Sequence, residues 1–169
     1  MGGHAPVKME ALCRNLANRG LKDVSSYRQS GNLMFISSST DGAEIGRTVK
    51  DALERMTGTT ADVFLRSMEG MEDLVTSDPF KGGLDEGDRG FATFMSARPA
   101  DVPSMPVRFL DGISMIGLID DVALTVVRKD VFSGPVNDQL ERMFGVRATT
   151  RNWSTVIGLV KKATVSKAK

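Results

Sequence analysis

Two short polar runs hold most of the side chains in this sequence that could do chemistry. One is Tyr27-Arg28-Gln29-Ser30-Gly31-Asn32, and the other is Thr149-Thr150-Arg151-Asn152-Trp153-Ser154-Thr155. Each sets amide, hydroxyl and guanidinium groups into an otherwise apolar pattern, which burial alone does not require. Tyr27 and Gln29, two apart on a strand, share one face, where a phenol and an amide can read the hydrogen-bonding edge of a ligand. Gly31 supplies a turn whose backbone Ser30 or Asn32 can satisfy, which is a structural role. Arg151 stands just before a helix N-terminus, where a cation opposes the macrodipole unless a carboxylate or a bound anion compensates it. A structural ion pair and an anion site both answer that requirement. Asn152 has the chemistry of an N-cap, and Trp153 that of an anchor buried between helix and sheet. The candidate ligand-binding residues are therefore Tyr27, Gln29, Asn32, Arg151 and Asn152, which suit a small ligand or an anion.

Other polar features weigh less. Gly2-Gly3-His4 can present backbone N–H groups to an anion, although a tight strand-to-helix connection is the favoured reading of a glycine pair. Asp120-Asp121 reads as a hairpin tip rather than a metal or acid–base pair. Gly82, Gly83 and Gly87 lack the spacing of a phosphate-binding loop. With one histidine (His4) and one cysteine (Cys13), a His/Cys metal cluster within the chain is excluded, and so is an internal disulfide. A reduced, cytoplasmic setting is the default for such a chain. No nucleophile–base pair is recognisable, so catalytic residues and cofactors stay unassigned, although carboxylates can carry acid–base chemistry without a local motif.

Positioning these groups falls to an ordinary globular chain of 169 residues, 41 % apolar and 25 % charged. Formal net charge is +1, so no global field draws in nucleic acid or an acidic membrane surface. No run approaches the roughly 20 apolar residues that cross a bilayer, and the N-terminus lacks a basic-then-apolar signal segment. Met9, Leu12, Cys13 and Leu16 recur at helical spacing, which predicts a helix over about 7–19, with Gly20 as its cap. Strands are expected at 24–29 and 33–37 about a Ser30-Gly31-Asn32 turn. A helix with Ile45, Val49, Ala52, Leu53 and Met56 on one face should follow, capped by Thr40-Asp41 and ended by Gly58. A strand at 62–67 and a short helix at 68–76 complete the first half. Beyond a glycine-rich stretch, the pattern repeats: a strand at 91–97, a Pro-interrupted crossover at 101–109, and a hairpin of 113–119 with 122–128. Pro135 opens a helix to Phe144, and a strand at 146–149 leads to a last helix. Met9, Met34, Met56, Met95, Met115 and Met143 fall on apolar faces as core fillers.

The two polar runs, with Gly2-Gly3-His4 and Val7-Lys8-Met9, resemble a bacterial family known as domain of unknown function 1697. The resemblance runs over nearly the whole chain, and Thr149 to Thr155 is its most specific part. It implies an α+β protein of two ferredoxin-like (split βαβ) subdomains facing each other, with the polar runs near the cleft between them. The expected organisation is a first subdomain at 1–80, a linker at 81–90, and a second subdomain at 91–169 with an extra C-terminal helix. The first half shows the repeated unit without its opening strand. Family members carry an apolar strand and an Arg-Gly-Ile-Asn-like turn immediately before the position of Gly2-Gly3, where this chain has Met1. A miscalled or truncated start is the expectation, with a partner chain or repacked segment filling the slot as the alternative. The leading functional expectation is a small-ligand or anion-binding module. An enzyme using the same cleft is the alternative, and nucleic-acid binding rests on fold analogy alone.

Overall fold

The computed structural model describes residues 8–28, 31–134 and 136–167, which form five helices and two sheets in a mixed α+β arrangement. The chain divides into two compact units, Met1–Leu65 and Arg66–Lys169.

In the first unit, α1 (Met9–Asn18) buries Leu12 and Leu16, which are four apart and so share one helical face. Past α1 the chain turns at Gly20, whose φ of +94° costs a glycine little. The hairpin of β1 (Lys22–Tyr27) and β2 (Asn32–Ile36) pairs antiparallel, Tyr27 opposite Asn32 and Ser25 opposite Met34. Next comes α2 (Gly42–Thr57), whose first N–H groups are met by the Asp41 carboxylate at 2.8 Å (Ala43) and 3.3 Å (Glu44). At its other end the Gly58 N–H donates to the Glu54 carbonyl at 2.8 Å. Leu12, Leu16, Leu21, Val49 and Ala52 make the core, with Leu33, Phe35 and Val63 packed against it. Among the described residues no strand forms over 62–67. The alternation there does place Val63 on the core, but a strand also needs a neighbouring edge, and no described residue forms a ladder with this segment.

The second unit opens with α3 (Met68–Thr76), whose first turn is capped by the Ser67 hydroxyl accepting from Gly70 N–H at 3.1 Å. Its sheet contains β3 (Arg89–Met95), β4 (Val107–Leu110), β5 (Ile113–Ile119), β6 (Val122–Val127) and β7 (Ala148–Asn152), in the order β4-β5-β6-β3-β7. Every neighbouring pair is antiparallel. Inner strand β3 is buried from Gly90 to Met95, as a strand covered on both faces must be. One face, through Phe91, Met95, Met115, Ala123 and Val127, packs on Val136 and Leu140 of α4 (Val136–Phe144). Gly90 faces the other way, and a Cβ there would meet the Phe80 ring at 3.0 Å, so any larger residue would push the ring back by a few tenths of an ångström. Phe80 in turn meets Trp153, the first residue of α5 (Trp153–Lys167), edge to face at 5.2 Å.

Two further sequence expectations need correction. β4 lies inside the stretch read as a Pro-interrupted crossover, where it pairs with β5 (Val107 opposite Met115). Met56 and Met143 are 36 % and 37 % exposed rather than core fillers, while Met95 and Met115 are fully buried. Segment 81–90 lies within the unit Arg66–Lys169, in which α3 packs on α5.

Candidate functional site

The second polar run occupies β7 and the start of α5. Arg151 lies opposite Ala92 of β3, and its side chain shares a face with that of Thr149. Its Nη1 donates to the Thr149 hydroxyl at 2.7 Å and to the Thr150 carbonyl at 2.9 Å, so the guanidinium folds back along its own strand. Burial holds its pKa below the usual arginine value, because a half-buried guanidinium has lost part of its hydration. Asn152, the last residue of β7, pairs with Phe91 and leaves its side chain exposed. Among the described residues it makes no capping hydrogen bond to the first turn of α5, so the expected N-cap role is not seen. An exposed amide at a strand end can bond to water instead. Trp153 is 8 % exposed, the buried anchor that its apolar bulk predicted.

On the opposite face of the same strand, Thr150 takes part in a polar chain. Thr93 and Thr150 are cross-strand partners with hydroxyls 2.9 Å apart, and Thr150 donates to Asn137 Oδ1 of α4 at 3.1 Å. Since Thr150 spends its one proton on Asn137, Thr93 is the donor between the two hydroxyls. Thr125, also fully buried, has no hydrogen-bond partner for its hydroxyl among the described residues.

The first polar run is a hairpin turn. Asn32 is 8 % exposed, and its Nδ2 donates to the Tyr27 carbonyl at 3.1 Å, closing the turn with a side chain. Arg28 adopts a φ of +57° and lies 5.6 Å from the centre of the Tyr27 ring, a cation–π contact that leaves the phenol half-buried. Gln29 and Ser30 lie outside the described residues, as do Gly2, Gly3, His4 and Pro135. Tyr27 and Asn32 are thus brought together within the first unit, and Arg151 and Asn152 within the second.

Asp120 and Asp121 form the tip of the β5–β6 hairpin, Asp120 with a φ of +51°. Each carboxylate is paired, Asp120 with Arg98 at 3.4 Å and Asp121 with Arg66 at 2.8 Å. Among the described residues no group of three or more His, Cys, Asp or Glu side chains could hold a metal. Sequence reasoning did not find a shallow depression of about 420 Å³ lined by Asp138, Glu141, Arg142, Gly145, Val146 and Arg147. Its central carboxylate is already engaged: Glu141 accepts from the Ala148 N–H at 2.7 Å and from Arg147 Nη1 at 3.4 Å. Mixed charges at a helix end carry no pattern in sequence that sets them apart from a solvated face.

The family model described as "Protein of unknown function (DUF1697)" matches residues 1–108. The chain belongs to this family. The match takes in the first polar run and stops short of Thr149 to Thr155, the most specific part of the sequence resemblance. No curated protein and no solved structure matches this DUF1697 member. No helix among its described residues is long and apolar enough to cross a membrane.

Proposed function

We propose that this protein is a small-anion-binding module whose principal contact is Arg151 at the β7–α5 junction. The observation that carries the reading is a half-buried guanidinium, its charged form disfavoured by burial, one residue before the end of β7 and two before α5. A bound phosphate, sulfate or carboxylate would offset that desolvation through charge-assisted hydrogen bonds, and N–H groups of the first helical turn would share the anion. Asn152, which is exposed, would add an amide. In the first unit the reading gives hydrogen-bonding roles to Tyr27 and Gln29, and it assigns Asn32 to bracing the backbone at Tyr27.

Both units are read as split βαβ folds of the ferredoxin-like kind. Support comes from the order β5-β6-β3-β7, in which the first strand of the repeated unit is central, with β4 added at the edge. Members of that fold class serve many functions, so the fold itself does not choose the ligand.

Differential scanning fluorimetry with phosphate, against sodium chloride of equal ionic strength, tests the reading. An anion present at about ten times its Kd stabilises by about 1.4 kcal/mol, which raises the melting temperature by a few degrees. Arg151→Ala should abolish that increment. A phosphate effect that survives the substitution removes Arg151 from the site. No phosphate effect in the wild type, together with a lower melting temperature of Arg151→Ala without phosphate, assigns the residue to structure alone.

A further inference from the structure

β7 is an edge strand: among the described residues its only neighbour in the sheet is β3. The Ser96 N–H donates to the Arg147 carbonyl at 2.8 Å, while Met95 lies opposite Ala148 and Thr93 opposite Thr150. Main-chain groups alternate sides along an antiparallel strand, so Arg147, Thr149 and Arg151 turn theirs toward β3. Ala148 and Thr150 turn theirs to the outer edge. Such an edge is a template for another strand unless something covers it. Two charged side chains meet it here. The Glu141 carboxylate of α4 accepts from the Ala148 N–H at 2.7 Å, and Arg151 Nη1 donates to the Thr150 carbonyl at 2.9 Å. An anion thus covers an outward donor and a cation an outward acceptor, two residues apart on one strand. The β3–β7 ladder uses neither of these main-chain groups.

We propose that Glu141 and Arg151 close the outer edge of β7 against strand pairing, and that the strand they exclude is β7 of a second copy. The edge is self-complementary. Laid antiparallel with Ala148 of one copy opposite Thr150 of the other, each outward N–H meets an outward carbonyl. In that register the donor held by Glu141 would join the acceptor held by Arg151, so the two side chains block the same bond from its two ends. The docking stretch is short, because α5 begins at Trp153. Closure of the edge does not depend on an anion reaching Arg151.

Analytical ultracentrifugation of the full chain in phosphate-free buffer tests the proposal. Glu141→Ala combined with Arg151→Ala uncovers both groups and should raise the self-association constant at least about tenfold over wild type. Each single variant keeps one guard and should fall between the two. Ala148→Pro added to the double variant should return association to the wild-type value, because proline removes an outward N–H and leaves the β3 ladder intact. A double variant that is folded by circular dichroism and associates no more than wild type overturns the proposal. So does association that Ala148→Pro leaves unchanged, which would put the contact on another surface. Should the double variant fail to fold, the single variants decide, and closure is overturned if both associate as wild type does.

Discussion

Single residues in the second unit offer contrasts that share one chemistry and differ in sign. Thr125 buries a hydroxyl without a partner among the described residues, whereas Thr93 buries one that donates to Thr150. Thr125→Val, near-isosteric, should therefore stabilise the protein by about 1 kcal/mol, while Thr93→Val should cost about 1 kcal/mol, because Thr150 loses its donor. Urea unfolding followed by circular dichroism reads both, and shifts of the same sign would contradict the assignment. Trp153→Ala should cost more, about 3–5 kcal/mol, since it removes a buried aromatic and strips Phe80 of its edge-to-face partner. An unchanged urea midpoint would show that the indole carries no load. Of these roles, that of Trp153 was legible in sequence, because a large apolar ring at a helix start has few uses other than burial. The pairing of Thr93 with Thr150 was not, since it joins residues 57 apart whose register only the sheet decides.

Helices and the hairpin were legible where local chemistry closes them. The spacing of Leu12 and Leu16, the Asp41 cap, the Gly58 stop and the Asn32 turn each act within a few residues, and all occur as expected. Elements that depend on distant partners were not legible. Edge strand β4 is four residues long and exists because β5 lies beside it, while 62–67 has a strand's alternation and no ladder among the described residues. The candidate site divides along the same line: Asn32 and Trp153 declared structural roles through local chemistry, whereas the fold of Arg151 back onto Thr149 and Thr150 is a side-chain choice that sequence leaves open. At α2 the cap itself is open to test. Asp41→Ala strips the acceptor from Ala43 and Glu44 and should cost about 1 kcal/mol, while Asp41→Asn should recover most of it. A loss equal in both variants would point to charge at the helix end instead of the hydrogen bonds.

Across the whole molecule, two units with separate cores need not unfold together. In the first, the described sheet has two strands and five buried residues make the core; in the second, a five-stranded sheet is covered on both faces. Scanning calorimetry should resolve two transitions, with exchange protection in α1 lost at the lower one and in β3 at the higher. One transition whose calorimetric and van't Hoff enthalpies agree would mean that the units fold as one. Why 66 and not 81–90 divides the chain lies in α3, whose partner α5 is some eighty positions away in sequence, beyond the reach of any local glycine signal. Tryptophan and tyrosine are divided in the same way: the one tryptophan stands on α5 in the second unit and the one tyrosine at the end of β1 in the first. Light absorbed at the red edge of the indole band therefore excites the second unit alone. The protein thus carries its own optical label, and a ligand that quenches or shifts that emission reports on the surroundings of Trp153 in the second unit without any added dye.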